Sequence, residues 1–178
     1  MLGRLALMAA LLATVGCGGP GEPPVTVALS DTADQVLMGV VHRVTLDGVP
    51  RIKLEADTVY VFQGAQIMEM LGVKVEFYSP NGELSSTVTS REGTYRMRTG
   101  DMEAREDVIG ESPDGRRLLT RVLRYSRLTH TIEGPEAFVF DSPTEHLEGS
   151  SFTSDPDLTN MSATDARRGR ATTVRIPG

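Results

Sequence analysis

Val73-Lys74-Val75-Glu76-Phe77-Tyr78-Ser79-Pro80-Asn81-Gly82-Glu83-Leu84-Ser85-Ser86-Thr87-Val88 is the stretch that decides the fold of this chain. Its first five residues alternate apolar and charged, the period-two pattern of a strand with one buried and one wet face. Asn81-Gly82 follows, a pair that accepts positive φ at both positions and so marks a tight hairpin turn. Leu84, Ser86 and Val88 resume the alternation on the returning strand. Similar cassettes flank this one, centred on Asp47-Gly48 and Asp114-Gly115, and Tyr60, Tyr95 and Tyr125 close the three at similar offsets. A near-constant period of roughly 20–50 residues marks one supersecondary unit stacked on itself. The sequence therefore predicts an all-β stack of antiparallel hairpins.

Working outward, residues 35–44 are β-rich, and residues 51–57 alternate strictly, with Ile52, Leu54 and Ala56 on one face. Tyr95 and Met97, then Met102 and Ala104, continue the pattern more weakly. Val108-Ile109, residues 118–123 and Ala137-Phe138-Val139-Phe140 read as strands whose facing the pattern leaves open. No window carries a capped apolar stripe at 3.6-residue spacing, so almost no helix is expected. A weaker fourth copy is expected to start at Gly149 and to cap the stack, as terminal repeats do.

The first sixteen residues follow secretory-signal logic: Arg4, then an almost wholly apolar run from Leu5 to Val15 that is too short to span a bilayer. The only cysteine, Cys17, follows directly, and Ala13-Thr14-Val15-Gly16-Cys17 resembles a bacterial lipobox, with Thr14 where leucine is usual. The expectation is a signal peptide over 1–16, a lipidated Cys17 at the head of a Gly/Pro-rich flexible linker over 17–34, a β domain over 35–163 and a basic, loosely ordered tail over 164–178. A lone cysteine leaves no intramolecular disulfide, so the core alone must hold the domain. The formal charge of −6 becomes one unit more negative when Arg4 leaves with the leader, which argues against nonspecific nucleic-acid binding.

Nothing in the residues points to an enzyme. His42, His130 and His146 stand far apart without metal-ligand spacing, and no nucleophile elbow or phosphate-binding glycine loop occurs. Glu103, Glu106 and Asp107 read as a solvated strand face, and Asp155-Pro156-Asp157 offers too few oxygens for calcium. No catalytic residue, cofactor or metal site is expected. With no Trp and few aromatics, the inward positions are mostly Val, Leu, Ile and Met. Such a set suits either a smooth slot for acyl chains or an ordinary filled core, and composition alone favours the latter.

Leu54-Glu55-Ala56-Asp57 with Tyr60, Leu71-Gly72-Val73-Lys74-Val75, and Asn81-Gly82-Glu83-Leu84 with Thr87 resemble the LptC family of lipopolysaccharide-export proteins. The run from Gly149 through Phe152 and Asp155-Pro156-Asp157 to Leu158 resembles that family's closing segment, so the likeness covers about 35–163. It implies an open antiparallel β-jellyroll, LptA/LptC-like, whose interior holds lipopolysaccharide acyl chains. It implies a bridge between the periplasmic domains of an inner-membrane ABC transporter (LptF/LptG-like) and an LptA-like protein. On that basis the groove lining is expected from Ile52, Leu54, Ala56, Val73, Val75, Phe77, Leu84, Val88, Met97, Val108 and Phe152. The family commonly carries a transmembrane helix where this chain shows a lipid-anchor signal, and Gly18 is not the aspartate that holds some lipoproteins at the inner membrane. A different expectation is an envelope assembly lipoprotein that pairs by strand addition and binds no lipid.

Overall fold

The computed structural model describes residues 29–169; the expected signal peptide, Cys17 and the tail beyond 169 lie outside them. A single turn of helix, α1 (Leu29–Thr32), leads into β1 (Gln35–Leu46), β2 (Val49–Phe62), β3 (Ile67–Tyr78), β4 (Leu84–Arg96), β5 (Met102–Glu111) and β6 (Arg117–Ser126). Six short strands follow: β7 (Thr131–Gly134), β8 (Phe138–Asp141), β9 (His146–Gly149), β10 (Ser151–Ser154), β11 (Ser162–Thr164) and β12 (Arg167–Gly169). All belong to one antiparallel, 12-stranded open sheet in a jellyroll arrangement. The all-β expectation holds, and α1 is the only helix among the described residues. The Asp47-Gly48 turn has φ of 52° and 79°, the double positive value that lets a two-residue loop match strand twist.

A transverse crease organises this sheet. In β2 the buried side chains are Ile52, Leu54 and Ala56, then Val59 and Val61; in β3 they are Met70, then Val73, Val75 and Phe77. In β5 they are Met102 and Ala104, then Val108. At the breaks in β2 and β3 two consecutive residues face outward and the alternation slips by one, whereas in β5 three residues, Arg105 to Asp107, intervene and the parity is kept; both legs of each bent strand keep their apolar side within. The breaks line up across the sheet. Gly39 and Gly72 have positive φ there, as do Glu106 and Asp107, and the β4–β5 and β5–β6 registers shift at the same level. Such bulges bend strands and re-aim side chains.

Beyond β6 the crease becomes a break. The end of β6 pairs with β7 and its start with β8, so the sheet forks; β10 and β11 extend one branch, β9 and β12 the other. The bend brings strands distant in the sheet face to face. Phe77 of β3 lies 5.1 Å from Tyr125 of β6, and Phe138 of β8 lies 4.8 Å from Phe152 of β10, ring centre to ring centre. Residues 155–161 close one side: buried Leu158 packs toward β5, and Ser86 Oγ donates to Pro156 O at 2.5 Å. Asp155 holds that loop by accepting from Thr159 N at 2.8 Å and Asn160 Nδ2 at 2.7 Å, so its carboxylate caps its own turn.

Three expectations need correction. The linker ends before 34, because α1 is folded and Asp34 ties back to β2 through Asp34 N to Val61 O (2.9 Å) and Gln63 N to Asp34 Oδ2 (2.7 Å). The domain runs past 163, because β12 pairs Arg167 with Glu148 and Gly169 with His146. Gly149 does not centre a fourth hairpin; it ends β9 at the crease, and the turn lies at residues 142–145. An added Cβ at Gly149 would lie 2.7 Å from Phe138 Cε1, so close packing accounts for this glycine.

Gly72 tests the crease. It has φ of 62°, and a Cβ there would lie 2.1 Å from Asp57 Oδ2 on the neighbouring strand. Gly72→Ala is expected to lose about 1–2 kcal/mol from the left-handed backbone alone, and more from the clash. In urea titrations the double variant Gly72→Ala/Asp57→Ala should recover only the clash portion.

Candidate functional site

The apolar interior between the two legs is the first part of the candidate site. Ile52, Leu54, Ala56, Val73, Val75, Phe77, Val88, Val108 and Phe152 all point into it and are buried, so the fold brings these nine expected lining residues together. Met97 packs, partly buried, against the same cluster. Leu84 does not belong: the register shifts between Phe77 and Tyr78, and Leu84, opposite Tyr78, turns out to 42 % exposure. The interior is packed with side chains. A residual space beside β1, lined by His42, Val44, Ile52, Leu54, Tyr95, Gly100, Met102 and Arg127, measures about 20 Å³. That is room for about one water molecule and far too little for an acyl chain, which enters only if the legs part.

His42, Val44, Tyr95 and Arg127 were absent from the sequence-expected lining. Val40, His42 and Val44 do alternate on β1, opposite Ala56, Leu54 and Ile52, so half of that signal was present. Tyr95 and Arg127 reach the same place only through the fold-back of the sheet; the His42 and Tyr95 rings lie 5.7 Å apart.

The second part is the pair of sheet edges. β1 pairs with β2 alone among the described strands, leaving one line of backbone N–H and C=O groups without a strand partner. Its side chains are apolar and open: Val36, Leu37, Val41 and Leu46 are 40–56 % exposed and Met38 is 74 % exposed. Natural edges are usually blunted by charge, proline or brevity, whereas β1 is 12 residues long and carries few charges. Beneath it the outer face of β2 and β3 is braced by ions. Lys53 Nζ lies 2.9 Å from Glu55 and 3.4 Å from Glu76, and Lys74 Nζ lies 2.6 Å from Glu76. Tyr78 Oη also donates to Glu76 at 2.8 Å. The hydrogen bond from Lys74, with that from Tyr78, holds the Glu76 carboxyl at about 2.

At the far end, β11 and β12 each pair with one strand only among the described residues. Next to β12, His146 Nδ1 lies 2.6 Å from Asp141 Oδ1 and its Nε2 lies 3.2 Å from Glu148 Oε1. Two carboxylates on one imidazole favour the doubly protonated ring, and the bond to Asp141, then that to Glu148, pushes its pKa up.

Glu103, Glu106 and Asp107, read from the sequence as a solvated strand face, serve as ion partners on the outer faces. Glu103 meets Arg105 at 3.2 Å and Arg124 at 3.0 Å, Asp107 meets Arg91 at 2.5 Å, and Glu106 lies 3.7 Å from Arg121. Among the described residues no three His, Cys, Asp or Glu side chains are placed to hold a metal, and no helix is long and apolar enough to cross a membrane. The chain matches no protein-family model and no curated protein.

Two pH experiments follow from these edges. The Glu76 pKa is depressed, so its contribution to stability is full above the unfolded value of about 4.3 and is lost as pH falls toward about 2. Across that window the unfolding free energy of Glu76→Gln should fall less steeply than that of the native chain. His146 has the opposite sign: its raised pKa adds stability below about pH 6.5 that disappears as pH rises through the folded value. The gap in thermal midpoint between native chain and His146→Gln should therefore be widest in mild acid and close in mild base.

Proposed function

We propose that this chain is a noncatalytic, membrane-anchored bridge in lipopolysaccharide transport. It accepts lipopolysaccharide from an inner-membrane ABC transporter and passes it, acyl chains first in the apolar interior, to an LptA-like protein. The observation that carries this reading is β1, a long apolar strand with an open backbone edge, lying at the mouth of that interior. A strand added to β1 from the periplasmic domain of an LptF/LptG-like subunit would extend both the sheet and its apolar lining. The open β11 and β12 edge offers the same geometry to the next protein in line. Head-to-tail addition of this kind builds an open filament. The motifs resembling the LptC family support the reading by their places: those of residues 54–60, 71–75 and 81–87 lie on β2, β3 and β4, and the run from Gly149 to Leu158 lies against the far edge. Cys17 would supply the lipid anchor at the periplasmic face, with the inner membrane as the residence that fits a transporter contact.

A second reading has its own support. The interior is filled by side chains, as in an ordinary core, and this suits an envelope assembly lipoprotein that pairs by strand addition and binds no lipid.

A photocrosslinking amino acid at Val44, on the mouth, separates the two. The transport reading expects covalent capture of lipopolysaccharide in cells, together with transporter subunits copurified in mild detergent. Transporter copurification with no lipid adduct would leave the second reading standing and remove the first.

A further inference from the structure

The geometry points to an anion-recognising rim at the mouth of the interior, which takes the phosphate or carboxylate head of an acyl amphiphile while its chain enters between the legs. This rests on the lipid-carrying reading and adds to it a head-group site centred on Arg127.

Arg127 stands in the turn after β6 and lines the small space beside Ile52, Leu54 and Met102, so its guanidinium sits where apolar interior meets solvent. Its backbone N–H is taken by Asp101 Oδ1 at 3.0 Å, which fixes the turn. Its stem lies across Gly100, where an added Cβ would be 2.5 Å from Arg127 Cδ; any larger residue would push the arginine off the mouth. Among the described residues its guanidinium makes no ion pair or hydrogen bond. Arg43, Arg51, Arg96 and Arg98 are likewise without an ion pair among the described residues, but of this group Arg127 alone lines the apolar space. Arg105 is held by Glu69 and Glu103, Arg116 by Asp114, Arg121 by Glu136, and Arg124 by Glu103. Arg96, at the neighbouring β4–β5 turn, makes no ion pair among the described residues and adds positive charge near Asp101.

An exposed arginine with its stem on apolar surface and no carboxylate partner is an arrangement that adds little to stability. It is a good one for a ligand that is anionic at one end and apolar at the other. Arginine presents a planar fork of donors that matches phosphate and carboxylate oxygens. The tilted pair of His42 and Tyr95 rings forms the opposite lip, adding an aromatic wall and a second group that can donate to an anion.

The test measures binding of dodecyl phosphate and of neutral dodecyl maltoside, each below its micelle concentration, to the full chain. Arg127→Gln, Arg127→Lys and Arg43→Gln, the last on the outer face of β1, are compared after their thermal midpoints are matched to the native chain. The expected result is that Arg127→Gln weakens dodecyl phosphate about tenfold and leaves dodecyl maltoside unchanged. Arg127→Lys should recover part of the loss, and Arg43→Gln should have no effect. Equal binding of the charged and neutral probes, or an equal loss in Arg43→Gln, overturns the head-group site while leaving an apolar lipid path intact. Full competition by inorganic phosphate at the same concentration overturns it too, as that would be a free-anion site with no role for the chain. If neither amphiphile binds the native chain, the lipid-carrying reading falls and this inference with it.

Discussion

The slip in alternation at the crease is the constraint on which the rest of the molecule depends. A long, regular strand has one apolar side, and bending it would leave one of its legs facing the wrong way. Two consecutive outward residues, as at Asp57-Thr58 in β2 and Leu71-Gly72 in β3, reverse the parity where the strand bends. Both legs then contribute to one interior, and a single sheet serves as its own partner layer. Positive φ at Gly39, Gly72, Glu106 and Asp107 marks the cost of this bend, which is met by packing on either side.

From the crease follow the edges. A sheet folded on itself in this way meets its own distant strands, β3 with β6 and β8 with β10, but among the described residues no further strand lies against β1 or against β11 and β12. The stack is open at both ends for the same reason that it is stable in the middle. At β1 the open edge coincides with exposed Leu37 and Met38 on the strand and with the mouth lined by His42 and Arg127, so a backbone edge, an apolar surface and a guanidinium lie close together.

Much of this was legible in the residues. Clean alternation in 51–57 and 73–77 placed Ile52, Leu54, Ala56, Val73, Val75 and Phe77 inside, because burial on one face of a strand imposes period two. Asp47-Gly48 and Asn81-Gly82 located hairpins, because few pairs accept their backbone angles. Facing was ambiguous at 108–109 and 118–123, and the structure shows why: Val108 follows the bulge at Glu106-Asp107, and the buried parity of β6 changes between Leu118 and Leu123. Leu84 was misread because Ser85 is an extra residue between the pairs Phe77–Ser86 and Tyr78–Leu84, and plain alternation does not reveal a bulge that turns its neighbour outward. Gly149 was misread because a glycine that makes room for Phe138 looks, in sequence, like one that makes a turn.

The sequence by itself determined the strand class, the hairpin order and the apolar composition of the interior, since these rest on short-range rules of φ, side-chain alternation and turn chemistry. The tertiary structure alone packs that interior, brings Tyr95 and Arg127 to the same mouth as His42, and leaves β1 at the end of the sheet with β2 as its one partner among the described strands. Those features arise from contacts between residues far apart in the chain. They depend on where the sheet bends and on what it finds when it folds back, and no local pattern carries that information.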